Sequence, residues 1–117
     1  MSNIKLFENK TVRSQYNEEE SKWYFSVVDV IEVLTESVNP RDYWFKMKIR
    51  VKSDDGFELS TICRQFKLEA TDGKMRETDV ADTESILRII QSIPSPKAEP
   101  FKQWLAKVGA DRIAEIE

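Results

Sequence analysis

Between Asn39 and Lys52 the chain places Asn39, Arg41, Lys46, Lys48, Arg50 and Lys52, with Asp42 as the single acid. The local charge is plus 4 in a chain whose net charge is minus 3. These side chains suit a polyanion. Arginine can bond guanine through two parallel hydrogen bonds, asparagine can do the same for adenine, and lysine holds phosphate as a point charge. Asn39 and Arg41 are therefore the candidates for base edges. Lys46, Lys48, Arg50 and Lys52 are the candidates for phosphates, joined further along by Lys67, Lys74 and Arg76. A plainer reading exists for the same residues: Asn39 only caps a helix, and the lysines form a solvated face.

Other chemistry is scarce. Histidine is absent, which excludes the commonest zinc constellations and every histidine-based triad. The one cysteine, Cys63, cannot form an internal disulfide, and with no nearby base it reads as a small buried apolar side chain. Glu18, Glu19 and Glu20 read as a solvated loop, because three consecutive side chains do not converge on one ion without a special turn. Asp79, Asp82 and Glu84 have a spacing that could hold magnesium for a nuclease. A helix cap at Asp82 or Thr83, with Glu84 in the first turn, explains them more simply. The chain is read as a non-enzyme with no metal and no cofactor.

A length of 117 residues fits one domain spanning 1–117, large enough for one core. With 40% hydrophobic and 33% charged residues, 3 Gly and 4 Pro, the composition is that of a globular protein. No apolar run approaches the roughly 18 residues of a membrane span. The first ten residues lack the apolar centre of a signal peptide, so a cytoplasmic location is expected. A pI near 5.2 argues against nucleic acid on average. The average hides the distribution: residues 1–38 carry minus 3, 53–84 minus 5 and 85–117 plus 1, so the positive charge is concentrated in 39–52.

The elements that must position these side chains follow from pattern. Ile4 to Phe7 and Thr11 to Gln15 form a hairpin linked by Glu8, Asn9 and Lys10, and Lys22 to Ser26 adds an aromatic third strand. Ser26 and Asp29 approximate a capping box for a first helix, with Val27, Val30, Ile31 and Leu34 inward and Asp29, Glu32 and Glu36 outward. Glu36 to Val38 is a turn of the length found in a helix-turn-helix. Asn39 and Pro40 then start a second helix, since asparagine caps well and proline is preset for the first helical position. Its wheel puts Tyr43, Trp44, Met47 and Val51 toward the core and Arg41, Lys48 and Lys52 together on another line. Phe45 and Ile49 flank that line, which predicts a helix packed on two sides, and Lys46 and Arg50 lie on a separate edge.

Gly56 stops this helix, and Phe57 to Cys63 is open between a strand and a helical turn. Asp72-Gly73 between Phe66–Ala70 and Met75–Val80 is a strong hairpin signal, and this hairpin would be a wing. A buried helix follows through Ile86, Leu87, Ile89, Ile90 and Ile93, ended by Pro94 and Pro96. Ala98, Phe101, Leu105 and Val108 then mark a helix with Gly109 as its stop. A further turn at Ile113 and Ile116 lacks a stop signal, which suggests that the natural chain continues. The fold class is α+β: small antiparallel hairpins packed with about four to five helices around a helix-turn-helix-like, winged unit.

Two blocks resemble the Bro family N-terminal domain of phage and prophage antirepressor-type proteins and large DNA viruses. The first, WYFSVVDVIEVLTESVNPRDYWFKMK, is similar to the family's aromatic strand, its D-V helix and its asparagine-proline-arginine helix start. The second, TDVADTESILRIIQSIPSPKAEPFKQWLAKVGADRI, resembles its T-E-S helix, S-x-x-P-x-A link and F-K-x-W helix. Ile86 and Leu87 stand where members often have glycine and tyrosine, and Leu34-Thr35-Glu36 where many read leucine-glycine. The resemblance implies double-stranded DNA as partner and a variable C-terminal domain that these 117 residues lack. The alternative class is an interaction module acting on a repressor protein or on a second copy through Phe45 and Ile49, without DNA contact.

Overall fold

In the strand Lys22–Ser26 Trp23 and Phe25 point to one face and Tyr24 to the other, and all three are buried. A computed structural model of the chain describes residues 2–7 and 10–116, with side chains at Phe7 and 10–108. Five strands form one antiparallel sheet: β1 (Ser2–Phe7), β2 (Lys10–Asn17), β3 (Lys22–Ser26), β4 (Arg64–Glu69) and β5 (Met75–Asp82), in the order β1-β2-β3-β5-β4. β3 is central, with Ser14 opposite Phe25 on one side and Ala81 opposite Phe25 on the other. The first hairpin closes at Phe7 opposite Lys10; Glu8 and Asn9 of its link lie outside the described residues.

The second hairpin is as the Asp-Gly signal predicts. Gly73 takes φ 82°, a left-handed conformation that glycine adopts without a Cβ penalty. Ala70 donates its amide to the Lys74 carbonyl at 2.8 Å. The hairpin is not a detached wing, however. β5 pairs with β3 through Tyr24–Asp82, Phe25–Ala81 and Ser26–Val80, so both hairpins share one sheet. Tyr24, Leu68 and Val80 with Phe66 make a small second cluster on the outer face.

Four helices cover the inner face: α1 (Val27–Thr35), α2 (Pro40–Asp55), α3 (Thr83–Ile90) and α4 (Ala98–Ile116). The main core takes Val12, Trp23 and Phe25 from the sheet, Val30 and Ile31 from α1, Trp44, Met47 and Val51 from α2, Ile86, Ile89 and Ile90 from α3, and Phe101 and Leu105 from α4. Each fully buried Ile, Leu or Phe contributes about 1.5–3 kcal/mol. Phe7 and Phe101 meet edge to face at 5.1 Å, which seats α4 on the first hairpin.

Several expectations are corrected. Of the two alternatives for Phe57 to Cys63 the structure has the helical turn, a 3-10 turn at Leu59–Ile62 with Leu59 fully buried. Ile93 is buried but lies beyond the end of α3 at Ile90. Gly109 does not stop the last helix, which runs on to Ile116; the Ile113 and Ile116 side chains lie outside the described residues. α2 is not packed on two sides, because Phe45 and Ile49 are 59% and 56% exposed. Asp29 is not a solvent-facing acid: its side chain is 13% exposed and holds Arg13.

Candidate nucleic-acid interface

The start of α2 is built by its own residues. The Asn39 side-chain oxygen accepts the Asp42 amide at 3.2 Å, the cap that the sequence implies. The Asn39 amide donates to Ser37 Oγ at 3.1 Å, and Ser37 in turn donates its amide to Thr35 Oγ1 at 3.2 Å. α1 ends at Glu36 in a left-handed conformation, φ 56°, and the Glu36 amide donates to the Glu32 carbonyl at 2.8 Å. Ser95 Oγ donates to the Leu34 carbonyl at 2.6 Å, tying the end of α1 to the segment that precedes α4.

Arg41 projects from the first turn of α2 into solvent and makes no ion pair or hydrogen bond among the described residues. It borders a cleft of about 630 Å³. One side of this cleft is Asn39, Pro40 and Arg41, the other is Glu69, Ala70 and Thr71 at the turn end of the β4–β5 hairpin, and its lining also holds Arg13, Asp29 and Glu32. Tertiary structure thus brings the helix start and the hairpin together. On that hairpin Lys67 and Lys74 are exposed and have no side-chain partner among the described residues, whereas Arg76 is paired with Asp72.

The remaining cations of α2 are engaged within the protein. Lys46 pairs with Asp42 at 3.0 Å, one turn back on the exposed surface. Arg50 donates to the Ser92 carbonyl at 2.7 Å. Lys52 pairs with Glu58 at 2.8 Å, a hydrogen bond that raises the lysine pKa and lowers that of Glu58. Lys48 lies 5.1 Å above the Trp44 ring and 3.9 Å from Asp79 Oδ2, half-buried. The line Arg41, Lys48, Lys52 drawn on the helical wheel is therefore divided by what each side chain meets.

Asp79 is the acceptor at the junction between α2 and the hairpin. It takes Trp44 Nε1 at 2.8 Å and Gln65 Nε2 at 3.1 Å. Asp82 Oδ1 accepts the Ser85 amide at 2.9 Å as the cap of α3, and Oδ2 pairs with Lys22 at 3.2 Å. Burial pulls the Asp82 carboxyl upward, but Ser85 and Lys22 together hold it below its usual range. Among the described residues no three carboxylate, cysteine or histidine side chains stand together as a metal site would need. Burial, reinforced by the Asp79 charge, pushes the half-buried Cys63 thiol up to about 12, leaving it protonated and a poor nucleophile at neutral pH.

Arg13 and Asp29 are the residues that sequence reasoning missed. Asp29 accepts both the Arg13 amide and Nε at 2.8 Å, while Arg13 Nη1 reaches the Glu69 carbonyl at 3.0 Å. One guanidinium thus links β2, α1 and the turn end of the β4–β5 hairpin within the lining of the cleft. Only the irregular capping box hinted at this. Ser26 Oγ does accept the Asp29 amide at 3.4 Å, but the Asp29 carboxylate turns to Arg13.

The start of α2 and the turn end of the β4–β5 hairpin thus border one cleft of a small α+β domain, with Arg13 and Arg41 in its lining beside Asp29, Glu32 and Glu69. Residues 11–109 match the BRO family, N-terminal domain, and the chain belongs to that family. Membership supports a phage-type regulatory domain of the DNA-binding kind. No curated protein and no solved structure matches the chain. No helix among the described residues is long and apolar enough to cross a membrane.

Proposed function

We propose that this domain binds double-stranded DNA as part of an antirepressor-type phage or prophage regulator acting in the cytoplasm. In this reading α1, the Glu36–Val38 turn and α2 work as a helix-turn-helix, and the hairpin is its wing. The observation that carries it is the cleft shared by Arg41 and the turn end of the hairpin, with Lys67 and Lys74 on the same hairpin outside its lining and all three cations exposed and unpaired among the described residues. Arg41 reads a base edge and the two lysines hold phosphates. Asn39 caps the helix and offers its free amide nitrogen to the same groove. Lys46, Arg50, Lys52 and Arg76 contribute only if DNA displaces their present partners, and Lys48 acts through Trp44 and Asp79.

The test is a salt titration of duplex binding by the 117-residue chain. Affinity should fall steeply with salt, by about 0.9 log units per neutralised phosphate for each log unit of salt. Lys67→Ala and Lys74→Ala should each flatten that slope by about one contact. Binding that is absent at low salt, or indifferent to salt and to both substitutions, would overturn the proposal. The exposed Phe45 and Ile49 favour a second reading, capture of a repressor protein or a second copy, whose affinity would respond weakly to salt.

A further inference from the structure

The exposed face of α2 carries an apolar pair that the core does not use. Phe45 and Ile49 are one turn apart and 59% and 56% exposed. With Arg41 before them and Lys52 after them they follow a single line along the helix, since steps of four and three residues return to one face. Single exposed apolar residues are ordinary, but an adjacent aromatic and aliphatic pair set among cations is a surface of defined chemistry. The segment that bears it is the most basic of the chain, so its electrostatics suit a polyanion and disfavour a basic protein.

We infer that Phe45 and Ile49 are specificity residues that contact thymine methyl groups in the major groove of the duplex. This rests on the DNA-binding reading of the same helix. The thymine C5-methyl is the apolar group that base pairs present in that groove, and apolar side chains are what recognise it. From Arg41 to Ile49 the helix rises about 12 Å, which spans roughly three to four base pairs at 3.4 Å each. The recognised site therefore combines a guanine opposite Arg41 with thymines one and two helical turns further along. The Asp42–Lys46 pair lies beside the line and leaves it clear.

The experiment starts from a random-sequence duplex pool from which the chain selects its preferred site. Each thymine of the selected duplex is then replaced singly by uracil, which removes only the methyl group. Uracil should weaken binding about fourfold at two positions, the effect of one buried methyl-sized group at each. Phe45→Ala should abolish that difference at one position and Ile49→Ala at another, with the salt slope unchanged. Both side chains are exposed, so both variants should melt with the wild type by circular dichroism. Equal affinity for thymine and uracil at every position would overturn the inference while leaving salt-dependent DNA binding intact. Uracil effects that persist in both variants would overturn it as well. Failure to bind any duplex would overturn the DNA-binding reading together with it.

Discussion

Arg41 and Lys48 stand two turns apart on α2, yet they meet different surroundings. Arg41 is exposed and unpaired among the described residues, while Lys48 spreads over Trp44 and reaches toward Asp79. Arg41→Ala should therefore leave the melting temperature unchanged and reduce discrimination for the preferred duplex by about 1–3 kcal/mol. Lys48→Ala should instead lower stability by about 1 kcal/mol, through loss of a partly shielded cation over an aromatic face. Thermal melts set beside duplex titrations separate the two; a destabilised Arg41→Ala would contradict the assignment. Asp82 offers a pH test. Its folded pKa is lowered, so its contribution is complete above the unfolded value of about 3.9 and is lost as pH falls through the lower folded value. Asp82→Asn keeps the cap without the titration. Its stability deficit of about 0.5–1 kcal/mol at neutral pH should shrink toward zero in acid, as measured by urea midpoints across that range.

The α1–α2 turn is the element on which the helix-turn-helix reading depends. Glu36 closes α1 in the left-handed region, where L-residues with a Cβ are disfavoured by about 1–2 kcal/mol. Its side chain, 63% exposed, pairs with Lys97 at 3.4 Å. Glu36→Gly should raise stability by up to about 1 kcal/mol, with relieved backbone strain outweighing the greater freedom of the unfolded chain. A lower urea midpoint for the glycine variant would count against this account of the turn. Much of this unit is legible in sequence because it is local: Asn39 and Pro40 start α2, Gly56 ends it with φ 75°, and Trp44, Met47 and Val51 are the buried stripe. Tyr43 is only half-buried, and Phe45 and Ile49 have no second layer over them, since a helical wheel shows which residues share a face but not whether anything covers it.

At the scale of the whole molecule, a net charge of minus 3 surrounds a basic helix whose cations are mostly paired internally. Glu19 and Asp54 are exposed acids with no side-chain partner among the described residues. Glu19→Gln with Asp54→Asn would bring the net charge to minus 1, and association with duplex DNA should quicken at low salt and converge with the wild type at high salt. Stopped-flow on-rates measured at two ionic strengths check this, and identical rates at low salt would count against long-range repulsion.

By itself the sequence determined the α+β class, the helix starts, the second hairpin and the place of the charge, because periodicity, caps and the Asp-Gly turn act between residues a few positions apart. It also carried the family resemblance that the match over residues 11–109 bears out. Tertiary structure decided how β5 joins β3, that Arg13 and Asp29 bind 16 residues apart, and that the start of α2 faces the turn end of the hairpin across a cleft. It also decided which cations are already engaged. Pairing at a distance depends on which surfaces the fold brings into contact, and no local spacing records that.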